Sequence, residues 1–141
     1  MKTSPAGIAL IERFEGLRLA AYQDQGGVWT IGYGHTAGVT QGQVITRVQA
    51  EAFLRADIAD AETAVMRLVS VALKPGEFDA LVSFTYNVGQ GHLGESTLLK
   101  LLNAGDYENA ASSFASWTLV AGKKSSGLAR RRNAEAARFK S

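Results

Sequence analysis

The apolar positions of the chain follow two rhythms. Ile8, Leu10, Ile11 and Phe14 recur at helical spacing. Residues 3–14 therefore read as a first helix, capped by Thr3 or Ser4, with Pro5 in its first turn. Glu15 falls at the end of that helix, and Gly16 is placed to stop it. From Asp24 to Thr36 the rhythm changes. Gly26, Gly27, Gly32 and Gly34 mix with Val28, Trp29, Ile31 and Tyr33. Glycine among β-branched and aromatic residues suits short strands and tight turns, so residues 16–39 read as a hairpin region. Residues 41–46 form a polar connection, with Thr46 as the cap of the next helix.

Helical spacing then returns. Phe53, Leu54, Ile58, Ala61, Val65, Leu68 and Val69 repeat every three or four residues, with charged residues on the other faces. This predicts one long amphipathic helix over residues 48–72. Pro75 and Gly76 break it. Residues 77–88 resume as a strongly apolar helix carrying Phe78, Leu81, Val82, Phe84 and Tyr86. Gly89, Gly91 and Gly94 around His92 predict a loop. Ser96 caps a helix through Leu98 to Leu102, and Asp106 caps another through Ala110, Phe114 and Trp117. Residues 122–127 read as a basic, flexible loop before a last helix over 128–139.

Composition narrows the function classes. A chain of 141 residues with 46% hydrophobic residues supports one domain with a real core. There is no cysteine, which removes disulfides, zinc–thiolate sites, cysteine nucleophiles and any thiol-based control. His35 and His92 are too scattered for a metal signature, so neither metal nor cofactor is expected. No apolar run is long enough to span a bilayer or to read as a signal peptide. Crossing a membrane then requires another agent, or a targeting segment ahead of this sequence. The net charge is +2, but residues 121–141 hold seven basic side chains against Glu135. That basic end suits an anionic polymer, and it equally suits a solvated helix with some arginines in ion pairs.

Glu15, Asp24 and Thr30 carry the candidate chemistry. Cleaving a sugar–sugar bond needs a proton on the leaving oxygen and help for the oxocarbenium-like centre. Glu15 is the candidate acid, and partial desolvation at a helix end favours the acid form of a carboxyl. Asp24 is the candidate base or charge stabiliser, and Thr30 can hold the attacking water. His35 is read as fixing the hairpin turn through a carboxylate partner rather than as a base. Trp29 and Tyr33 either stack on sugars or join the core.

The string EGLRLAAYQDQGGVWTIGYGHT at 15–36 is far more specific than those spacings. Together with DALVSFTYNVG at 79–89, STLLKLLNAGDY at 96–107 and GLARRRNAEA at 127–136, it resembles the phage-type lysozymes, the muramidase endolysins of the lambdoid branch. The resemblance covers nearly the whole chain. It implies an α+β, mostly helical, two-lobed lysozyme fold forming a single catalytic domain. A small β-hairpin lobe over about 1–46 is joined by a helix over about 47–72 to a helical lobe over about 75–141. It implies Glu15, Asp24 and Thr30 as the catalytic set, and Tyr86, Asn87 and Thr97 as substrate-binding residues lining the cleft. It implies hydrolysis, by inversion, of the β-1,4 bond between N-acetylmuramic acid and N-acetylglucosamine. One of Arg130, Arg131 and Arg132 is expected to reach Glu15.

The implied partner is the peptidoglycan glycan strand. Nucleic acid and stable membrane insertion are not expected, and the chain is expected to act as a monomer. It is expected to be made in the infected cytoplasm and to act on the wall in the periplasm. Two rival readings are a lytic transglycosylase and a wall-binding module without catalysis.

Overall fold

A computed structural model describes residues 1–141. The order is α1 (Pro5–Glu15), β1 (Arg18–Gln23), β2 (Trp29–Gly32), α2 (Arg47–Leu68), α3 (Pro75–Val88), α4 (Gln90–Glu95), α5 (Thr97–Asn103), α6 (Tyr107–Ser113), β3 (Leu119–Val120), β4 (Lys123–Lys124) and α7 (Ser126–Lys140). A 3-10 turn over Phe114–Ser116 extends α6. The fold is α+β and mostly helical.

The core is built on α3. Every residue from Gly76 to Thr85 is buried, which marks a helix covered on all sides. It packs against α1, α2 and α7. Phe78, Leu81 and Phe84 are at most 1% exposed, and burying side chains of that size contributes about 2–3 kcal/mol each. Helix α2 turns Leu54, Ile58, Ala61 and Val65 inward and leaves its charged faces in water. Thr46 caps it reciprocally with Gln49.

The small lobe is a two-stranded antiparallel ribbon, with Tyr22 opposite Thr30 and Gln23 opposite Trp29. A bulge lies between Arg18 and Tyr22, and a further bridge joins Ala20 to Val44.

Several elements differ from the sequence expectation. Helix α1 runs over Pro5–Glu15 rather than residues 3–14, and it packs chiefly on α3 and α7. Helix α2 stops at Leu68 rather than 72, and Val69, Val71 and Leu73 run on as half-buried chain against the core. Residues 90–95 form α4 where glycines suggested a loop. Leu93 is fully buried and anchors this turn, while nothing crowds Gly91. Residues 119–124 form a second hairpin through Ala121 at φ 50° and Gly122 at φ 80°. Two successive positive φ values match the twist of tight two-residue hairpins. Ser125 then caps α7 two residues earlier than expected.

Candidate active site

Glu15 is aimed by a helix held at its far end. The Ser4 hydroxyl accepts from the Gly7 N–H at 3.2 Å and donates to the buried Asp79 carboxylate. Asp79 also takes the Arg138 guanidinium at 2.8 Å. At the other end the Gly16 N–H bonds the Glu12 carbonyl at φ 70°, and α1 stops there as expected.

One oxygen of the Glu15 carboxyl is bonded, and the other is packed against backbone. Oε2 accepts from Arg131 Nη1 at 2.6 Å, so Arg131 is the arginine that reaches it. Oε1 lies against the α-carbon of Gly34. Gly34 has φ 76°, and a Cβ there would overlap Oε1. Only glycine supplies both that backbone conformation and that approach.

Arg131 is 3% exposed. Its Nε reaches Glu135 at 3.2 Å, and its Nη2 reaches the Ser83 carbonyl at 3.0 Å. Glu135 is fully buried and accepts from the Ser83 hydroxyl at 2.6 Å. Arg132 Nε sits 2.8 Å from the other Glu135 oxygen, off the hydrogen-bond line, so this contact is an ion pair only. Arg132 Nη2 donates to Asn87 at 2.8 Å. Burial pushes the Glu135 carboxyl above the usual glutamate range, opposed by Arg132 and Arg131. Burial pulls Arg132 down to about 10, opposed by Glu135.

Asp24 and Thr30 are brought together on the hairpin through Val28. Asp24 Oδ1 accepts from the Gly26 and Val28 N–H groups at 2.8 and 2.9 Å. The Thr30 hydroxyl donates to the Val28 carbonyl at 2.9 Å. No protein donor reaches the second Asp24 oxygen. Thr30 precedes Gly34 by four residues, at most about 14 Å of chain. The Ile31–His35 pairing folds that span inward.

The second lobe contributes Tyr86, Asn87 and Thr97. Asn87 and Glu15 line one cavity of about 500 Å³. Asn87 also borders an adjoining cavity of about 860 Å³ that Thr97 lines. Asp24 and Thr30 do not line the Glu15 cavity. The Tyr86 hydroxyl donates to the Tyr33 carbonyl at 2.5 Å, tying α3 to the turn that carries Gly34. Burial, reinforced by the Glu15 and Asp57 charges and opposed by Arg131, pushes its pKa far above the usual tyrosine value. Its ring shares a third, smaller cavity with Gly34 and Asp57.

His35 has the carboxylate partner its sequence position suggested. Its Nδ1 lies 2.7 Å from Asp57, and its ring stacks on Phe53 at 4.2 Å. Tyr33 is buried in the core, and Trp29 is half-buried. Sequence reasoning missed Ser83, Glu135 and Gly34 as parts of the site. For Glu135 a signal existed: it stands four residues after Arg131 and four before Phe139, on one face of α7.

The chain as a whole is similar to known proteins in sequence and in fold. Residues 12–135 match the family profile described as Phage lysozyme. The chain is 47% identical, over its whole length and 99% of the relative, to the endolysin of Acyrthosiphon pisum secondary endosymbiont phage 1. It is 46% identical over 99% of its length to the endolysin of Bacillus phage B103, of which it spans 54%. Among solved structures, the muramidase domain of SpmX from Asticaccaulis excentricus superposes with a TM-score of 0.92. That match is at 40% identity over 99% of this chain and 98% of that one.

Proposed function

The chain belongs to the phage lysozyme family, and from that membership we propose a reaction and a role for each site residue. The enzyme is an endolysin-type muramidase acting on peptidoglycan. In this reading it hydrolyses the β-1,4 bond between N-acetylmuramic acid and N-acetylglucosamine, with inversion.

The observation that carries the proposal is the clamped Glu15 carboxyl facing a cavity between Asn87 and α7. A proton donor must be held still relative to the leaving oxygen. Glu15 protonates that oxygen as its bond to C1 of the muramyl ring breaks. Positive charge develops on C1 and the ring oxygen. A water then attacks C1 from the opposite face and loses a proton to Asp24.

The hairpin suits that water. The Thr30 hydroxyl hydrogen is committed to the Val28 carbonyl, so its oxygen acts on the water as an acceptor. The free oxygen of Asp24 accepts as well. A water that gives its two hydrogens to these groups presents a lone pair to C1. Asn87, Thr97 and Tyr86 line the groove for the strand on either side.

The cellular route is part of the same proposal. The enzyme is made in the infected cell and meets the wall in the periplasm. No helix is long and apolar enough to cross a membrane.

The test is reducing-end release from purified sacculi by wild type, Glu15→Gln and Asp24→Asn, with NMR of the first-formed anomer. Abolished release in both variants, with an α-anomer from wild type, is expected. A β-anomer rejects inversion, 1,6-anhydro ends reject hydrolysis, and full activity of Glu15→Gln rejects the acid assignment.

A further inference from the structure

Three arginines line the cavity that holds Glu15: Arg13, Arg130 and Arg131. Arg131 is committed to Glu15 and Glu135. Arg13 and Arg130 are exposed and have no acidic partner. The Arg130 guanidinium lies against Gly127, where a Cβ would be 3.9 Å away. The Arg13 guanidinium stacks over the ring of Phe14 at 4.9 Å, and Phe14 lines the cavity too. Glu15, already paired, is the sole carboxylate in the wall. The solvent side of this cavity therefore carries two uncompensated positive charges beside the proposed proton donor. Charges left unpaired in a concave, partly desolvated site favour an anionic ligand group.

The substrate supplies one at that place. This inference rests on the muramidase reading. There, the sugar whose C1 is attacked is N-acetylmuramic acid, and it must lie against Glu15. Its C3 carries a lactyl ether joined to a short peptide that bears free carboxylates. C3 is two ring bonds from C1, so the peptide leaves the ring next to the same cavity. A separate anionic polymer has no such tether. It would have to enter a space of about 500 Å³ already occupied by the strand. We propose that Arg13 and Arg130 form a subsite for a carboxylate of the peptide on the muramyl residue being cleaved. Through it the enzyme favours peptide-bearing strands over bare glycan.

Lys123 and Lys124 provide the control. They are exposed cations on β4, and they do not line this cavity. Removing them changes the net charge as much as removing Arg13 and Arg130 does.

The experiment measures kcat/KM for reducing-end release on two substrates. One is intact sacculi, and the other is sacculi stripped of peptides by an N-acetylmuramoyl-L-alanine amidase, with the lactyl carboxylates that the amidase frees then capped as neutral methylamides. Wild type should prefer the intact substrate. The double variant Arg13→Gln/Arg130→Gln should narrow that preference about tenfold, mainly through KM. Arg13→Lys/Arg130→Lys should keep most of it, and Lys123→Gln/Lys124→Gln should not narrow it. Equal losses by the arginine double variant on both substrates overturn the proposal, as does equal narrowing by the lysine pair. If wild type cuts both substrates alike, the subsite fails while the muramidase reading stands. If wild type releases no reducing ends from either, both fall together.

Discussion

Replacing Arg131 by Met should destabilise the fold far more than replacing its ion-pair partner, Glu15, by Gln. Arg131 is 3% exposed and bonds Glu15 at 2.6 Å, Glu135 at 3.2 Å and the Ser83 carbonyl at 3.0 Å. Methionine removes all three contacts. Removing one partner of a buried ion pair costs about 3–5 kcal/mol, because the other charge stays buried. Glu135 keeps Arg132 at 2.8 Å, and the Glu15 side chain, 16% exposed, still reaches water. Both features bring the cost to the lower end, roughly 3 kcal/mol. For a domain of this size that is roughly a 10 °C fall in Tm. Gln at position 15 still offers an amide oxygen to Arg131, and Arg131 keeps Glu135 as its counter-charge. Its cost should stay within about 1 kcal/mol. Urea unfolding with an unchanged m-value measures both. Lytic activity should be abolished in Glu15→Gln despite its near-native stability. The reasoning is refuted if Arg131→Met unfolds within about 1 kcal/mol of wild type, or if the two variants cost the same.

Two further outcomes follow from the contacts around Glu15. Gly34→Ala places a Cβ on the Glu15 carboxyl, and a shift of about 1 Å in a catalytic group costs on the order of a hundredfold in rate. Gly42→Ala shares the positive φ, at 84°, but meets nothing within 4 Å. It should lose stability without that loss of rate, and equal rates for the two variants would refute the steric argument. Tyr86, with its pKa raised, should stay protonated while ordinary tyrosines ionise near pH 10. Tyr86→Phe should then gain as much phenolate absorbance on alkaline titration as wild type. Below pH 10 the raised value adds nothing that pH can change, and above it stability falls as the unfolded chain releases this proton. A smaller absorbance gain in the variant would show that Tyr86 titrates normally.

Much of the architecture was legible because local and long-range demands agree. The opening helix has a cap, an apolar stripe and a glycine stop, and it forms between Ser4 and Gly16, starting two residues later than expected. The reciprocal Thr46–Gln49 cap and the apolar stripe of α2 point the same way. The misread segments are those where a local signal loses to a tertiary one. Glycines at 89, 91 and 94 argue for a loop, yet the fully buried Leu93 holds a turn of helix there. Lysines at 123 and 124 argue for a solvated loop, yet the backbone of a strand pairs regardless of an outward charge. The Glu15–Arg131 pairing spans 116 residues, a separation over which sequence spacing carries no geometry.

The choice among three consecutive arginines shows why the rest was hidden. Successive helical residues point about 100° apart, so Arg130, Arg131 and Arg132 cannot share a role. Leu128 and Phe139 set the inward face of α7, and Arg131, Arg132 and Glu135 lie on that face between them. Charge normally marks the wet side of a helix, and by that rule α7 turns the wrong way. The rule fails because the three charged groups pair with one another by charge and also reach Ser83, Asn87 and Glu15. A nonpolar stripe there would pack as well, and often more stably, but it would offer Glu15 no donor. On the proposed reading, the buried network gives up stability in order to position Glu15. It follows that hydrophobic replacement of Arg132 and Glu135 together should cost less stability in urea unfolding than removal of Glu135 alone, since the single change leaves the buried Arg132 without a counter-charge, while Arg131 keeps Glu15 in both.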